Sequence, residues 1–144
     1  MTDLDALIAK LEAWTSKTAD FHRDRQLADE VLLADGWRCE ADGSFEGGVR
    51  WFRSIGIGTI NASEATRPNP LNTLSAAYAL IPSGLGVMVL HSPDGIQATV
   101  YSPVPGGIAE NGVSPDIAIA VCIAALKAMR AKALLDSAGS GTAK

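Results

Sequence analysis

The chain is short of the side chains that most catalytic and metal centres use: its 144 residues include two histidines and two cysteines. A metal site needs His, Cys or carboxylate ligands clustered at ligand spacing. His22 and His91 are far apart and fall on different expected elements, a solvated helix face and the end of a strand, so no metal and no cofactor is expected. Cys39 and Cys122 are equally remote, and neither belongs to a CxxC pair, which argues against zinc and dithiol chemistry. No GxSxG elbow and no P-loop occur. The run Gly56-Ile57-Gly58-Thr59-Ile60-Asn61 starts like a dinucleotide fingerprint but lacks the third glycine, and it reads as loop.

Basic residues are also scarce. Twelve Lys and Arg face sixteen Asp and Glu, a net charge of −4, which argues against nucleic-acid binding because that needs a basic footprint. Residues 68–113 contain no base at all and only two acids, Asp94 and Glu110. The longest apolar run, residues 117–126, is far short of the roughly 18–20 residues that span a bilayer. Residues 1–35 are acidic and lack the apolar stretch of a signal peptide. A cytoplasmic location with free thiols and no membrane contact is the expectation.

What the chain does have is apolar content, 47% against 19% charged. That is enough for one domain with a true core. The helix breakers are confined: twelve of the 14 glycines lie between Gly36 and Gly112, and six of the seven prolines between Pro68 and Pro105. Helical flanks with a strand-and-turn middle follow.

Thr2 is a candidate cap for a first helix whose stripe is Leu4, Leu7, Ile8, Leu11 and Trp14, with a break over residues 15–19. A second helix is expected from Asp20 to Ala34, ended by Asp35-Gly36. Strands are expected at 37–41 and 49–54, then a loop over 55–70. A third helix starts near Asn69-Pro70 or Asn72-Thr73 and stops at Pro82. Strands at 86–91 and 96–102 flank the turn Ser92-Pro93-Asp94-Gly95, and a loop covers 103–113. The last helix has Ser114 as cap and Pro115 at its first position, with Asp116 facing the helix dipole. It is apolar on nearly every side from Ile117 to Leu126, so it should be buried. Residues 1–136 are expected to form one domain and 137–144 a flexible tail. The order α-α-β-β-α-β-β-α suggests an α+β fold: a four-stranded, mainly antiparallel sheet with helices on both faces, a three-layer α/β/α sandwich.

Three segments resemble the phage α/β/α-sandwich family of small phage and prophage proteins. They are LADEVLLADGWR (27–38), similar to that family's helix ending in Gly-Trp; PNPLNTLSAAYALIPSG (68–84), similar to its Leu-x-Ala-Ala helix closed by Pro-x-Gly; and SPDIAIAVCIAALKA (114–128), similar to its alanine-rich final helix with one cysteine. Three residues, Leu33-Ala34-Asp35, are extra before Gly36-Trp37, and Leu85 stands where an aromatic is usual. The resemblance implies the sandwich fold and a phage or prophage origin. It implies no reaction and carries over no catalytic residue.

One cluster is enriched in side chains favoured at interfaces: Trp37 and Arg38 with Arg50, Trp51, Phe52 and Arg53. If the two strands pair, alternation puts Arg50 and Phe52 on one face and Trp51 and Arg53 on the other. Trp37, Arg38, Arg50, Trp51 and Arg53 are therefore the candidate interaction surface, against the plainer reading that the tryptophans pack under helices. Asp29-Glu30 reads as helix solvation. The expected function is a non-enzymatic binding or accessory protein acting on a host or phage protein. The alternatives are a small enzyme or enzyme inhibitor with its site in the 56–67 and 103–112 loops, and a minor virion or assembly component, which would self-associate.

Overall fold

The computed structural model describes residues 3–13, 21–55 and 57–142. The expected Thr2 cap, the Trp14 end of the first stripe, the break at 15–19 and the His22 side chain lie outside them. Four helices and six strands follow in the order α1 (Leu4–Ala13), α2 (Phe21–Ala34), β1 (Arg38–Ala41), β2 (Val49–Ile55), β3 (Gly58–Ser63), α3 (Leu74–Tyr78), β4 (Gly86–Ser92), β5 (Gly95–Tyr101), β6 (Ala109–Ser114) and α4 (Ile117–Thr142).

The chain is mixed α and β, but the expected four-stranded sheet is instead two three-stranded antiparallel sheets, ordered β1-β2-β3 and β4-β5-β6. The extra strands come from segments read as loop. Gly58–Ser63 and Ala109–Ser114 carry Gly, Asn and Ser where strands usually carry β-branched and aromatic residues. Pairing with β2 and β5 along their whole length overrides that weak local preference. Among the described residues, neither sheet is covered by helices on both faces. Arg38, Glu40, Thr59 and Asn61 on one sheet, and Met88, Leu90 and Val113 on the other, face outward and are exposed.

Helix α4 is the centre of the main core. Ile119 to Leu126 are wholly buried. Sheet β4-β5-β6 lies against it, and α1 and α3 also pack on it. Its start differs from expectation: Asp116, not Ser114, accepts the N–H groups of Ala118 and Ile119, at 2.9 and 3.3 Å, while the Ser114 hydroxyl accepts the Asp116 N–H. Salt bridges Lys127–Glu12 and Arg130–Asp5 bind its later turns to α1. The helix continues to Thr142, through residues expected to form a tail. Helix α3 is shorter than expected, five residues, and hydrogen-bonded turns at Leu80 and Ile81 carry the chain to Pro82.

A second, smaller cluster joins Leu32 of α2 to Trp37, Trp51 and Ala62 under sheet β1-β2-β3. Helix α2 serves both cores, since Leu27, Ala28 and Val31 belong to the main one.

Candidate functional site

The end of α2 builds the site. Gly36 takes φ +105, where a side chain would be strained. The Trp37 N–H then reaches back to the Leu32 carbonyl (3.0 Å) and the Gly36 N–H to that of Leu33 (3.3 Å), the paired bonds of a Schellman cap. This tight reversal drops Trp37 into the small cluster and points the chain into β1. It leaves Asp35 at the helix terminus, its side chain 8% exposed.

Arg53, on the inner face of β2, forms a salt bridge with Asp35. Burial nonetheless dominates and pushes the Asp35 carboxyl up to about 6, although Arg53 pulls the other way. The pair is the shared wall of two clefts. The first, about 980 Å³, is lined by Arg38, Lys132, Asp136, Leu33, Ile81 and Ser83 among others. The second, about 820 Å³, is lined by Arg67, Trp37, Ile60, Ser54, Thr66, Thr73 and Ser75 among others.

Arg67 is fixed from behind. Its guanidinium forks onto Asp29 (Nε to Oδ1 2.8 Å, Nη2 to Oδ2 3.2 Å), donates to the Glu64 carbonyl and lies over the Trp51 ring at 5.5 Å. Asp29 also pairs with Arg25 at 3.2 Å. Burial, reinforced by the neighbouring Arg67 charge, lowers the Arg25 pKa. Asp29 is thus the anion between two arginines, and the reading of Asp29-Glu30 as solvation is corrected for Asp29. Glu30 does sit at the surface, beside Lys10.

The five candidate surface residues separate into three places. Trp37 and Trp51 are buried and form no exposed patch. Arg38 and Arg53 line the first cleft. Arg50 lies on the outer face with Phe52, as alternation predicted, bonded to Asn61 and Glu40 at 2.7 and 2.8 Å and stacked on Phe52 at 4.5 Å. From the 56–67 loop, Ile60, Thr66 and Arg67 reach the second cleft, whereas no residue of 103–112 lines either one. Sequence reasoning missed Asp35, Asp29 and Arg67. Their one visible signal was the Asp-Gly helix stop.

Chemically, the clefts bring Arg38, Arg53, Arg67 and Lys132 together with two carboxyls, Asp136 and the Asp35 whose pKa is raised to about 6. That suits charge-assisted capture of an anionic group. Among the described residues, no three His, Cys, Asp or Glu side chains stand close enough to hold a metal, and no helix is long and apolar enough to cross a membrane. No family model, no curated protein and no solved structure matches the chain.

Proposed function

We propose that this chain is a phage or prophage accessory protein of the host cytoplasm that works by binding, and that its first cleft takes an acidic segment of a host or phage protein. One observation carries the reading. Arg38 has no carboxylate partner among the described residues, its guanidinium being held by the Trp37 and Leu33 carbonyls, and it lines this cleft beside Arg53 and Lys132. A net positive wall on a chain of charge −4 favours an anionic partner. Supporting it, the first two segments that resemble the phage family line the clefts, and Met129, Lys132 and Ala133 follow directly on the third.

A labelled oligo-glutamate peptide, followed by fluorescence anisotropy, tests this. Binding should weaken with salt and fall about tenfold or more in Arg38→Glu/Lys132→Glu. Undetectable binding at low salt, or binding indifferent to the charge reversal, would refute it. A second reading, a small enzyme or inhibitor, draws on the second cleft, where Thr73 and Ser75 join Arg67 in the lining. A tight metabolite ligand displaced by Thr73→Val or Ser75→Ala would favour that one instead.

A further inference from the structure

Asp35 has little to keep it charged. Its side chain is 8% exposed. It stands at the carbonyl end of α2, where the helix dipole disfavours an anion. Among the described residues, Arg53 is the one group hydrogen-bonded to its carboxylate. Burial outweighs that single cation and holds the carboxyl at about 6, above the ~4.3 of an exposed glutamate.

Arg53 is not used up by the pair. A guanidinium has more N–H donors than one carboxylate oxygen can accept, and among the described residues only its Nη1 has an acceptor. Its side chain is 32% exposed and lines the first cleft. The other charged groups around Asp35 are already answered or reach solvent. Arg38 of β1 donates to the Leu33 and Trp37 carbonyls, Arg67 across the second cleft is forked onto Asp29, and Lys132 and Asp136 of α4 are exposed. Neither α1 nor the 73–83 segment brings a charge to either cleft.

An anion that docks on Arg53 arrives beside the Asp35 carboxylate. Two carboxylates on one guanidinium, in a site partly shielded from water, raise each other's pKa. Asp35 is the one that yields. It is buried at the negative end of α2, whereas the incoming group also has Arg38 and Lys132 to hold it. We propose that the acidic segment enters the first cleft together with a proton: one of its carboxylates shares Arg53 with Asp35, and Asp35 takes a proton from solvent as it does so. On the acidic-segment reading of this cleft, on which this inference rests, Asp35 is an internal stand-in for the ligand's carboxylate and is set aside by protonation. The charges balance, since one anion and one proton arrive and Arg53 keeps a single counter-ion. Linkage then makes the affinity rise as pH falls through the range where Asp35 titrates.

Titration calorimetry with the oligo-glutamate peptide, in two buffers of different ionisation enthalpy, reads the proton directly. For a coupling of about tenfold, the wild type should take up about half a proton at pH 6.5 on binding, beyond whatever Asp35→Asn takes up. Subtracting the variant removes the peptide's own titration. The ratio of wild-type to Asp35→Asn affinity should rise about fivefold or more from about pH 8 to about pH 5.5. Circular dichroism of the variant checks that it is folded, and uptake by the wild type is measured without it. No binding by either chain at any pH would overturn the acidic-segment reading and this inference with it. Binding in which uptake is the same in both chains, or in which the two affinities run parallel with pH, would overturn this inference alone.

Discussion

Gly112 of β6 lies directly against Ala120 of α4: a Cβ at position 112 would stand 2.3 Å from the Ala120 carbonyl oxygen and 2.7 Å from the Ala124 nitrogen. Both neighbours are helix backbone, which cannot swing aside as a side chain would. Gly112→Ala should therefore force strand and helix apart along the main core. A loss of about 3 kcal/mol is expected in urea denaturation, at the upper end of overpacking costs. A loss under about 1 kcal/mol would show that the contact yields.

Asp35 should give the fold a recognisable pH dependence. Its carboxyl is raised from 3.8 to about 6, so the folded chain holds this proton more tightly than the unfolded chain. The stabilisation is complete below the unfolded value and is lost as pH rises through about 6. Asp35→Asn removes the titration and adds a constant offset from the unpaired Arg53. From about pH 4 to pH 7 the variant should gain on the wild type by on the order of 2 kcal/mol. A difference that stays flat with pH would rule this out.

Asp29 holds two cations, so its removal should cost more than a surface ion pair does. Asp29→Asn leaves Arg25 and Arg67 facing each other, with Glu64, 3.9 Å from Arg67, the nearest carboxylate among the described residues. A destabilisation of about 2–3 kcal/mol is expected, short of the cost for a fully buried pair. Since Arg67 lies over Trp51, tryptophan fluorescence should change in the same variant and report the loss locally.

The two thiols should differ sharply in reactivity. Cys39 is exposed; Cys122 is buried, donates to the Pro70 carbonyl, and has its pKa driven far up by burial. A disulfide reagent should modify one thiol in the folded chain and two in denaturant. Two fast equivalents under native conditions would contradict this assignment.

Much of the fold was legible because it was local. The Asp-Gly stop of α2, the Ser-Pro-Asp-Gly hairpin turn and the all-round apolar start of α4 each act through neighbours in sequence, and the corresponding elements lie within a residue or two of expectation. Strands β3 and β6 were not legible. Glycine, asparagine and serine say loop, and only a partner strand already in place makes them extended. The site was hidden for a related reason. Arg67 meets Asp29 across 38 positions and Arg53 meets Asp35 across 18, distances at which one sequence carries no pairing signal. Alternation did sort Arg50 from Arg53, yet it could not say which face helix α2 would cover.

Helix α2 belongs to both hydrophobic clusters, Leu32 to one and Leu27, Ala28 and Val31 to the other. Among the described residues the two sheets share no strand, and α2 contributes to the core beneath each. Sheet β1-β2-β3 rests on a cluster of four buried side chains and the Arg67–Asp29 fork, far fewer than the main core, and is expected to be the weaker cooperative unit. Its amides are expected to exchange before those of α4 and sheet β4-β5-β6, which would put the Asp35–Arg53 wall at the boundary between slow and fast exchange.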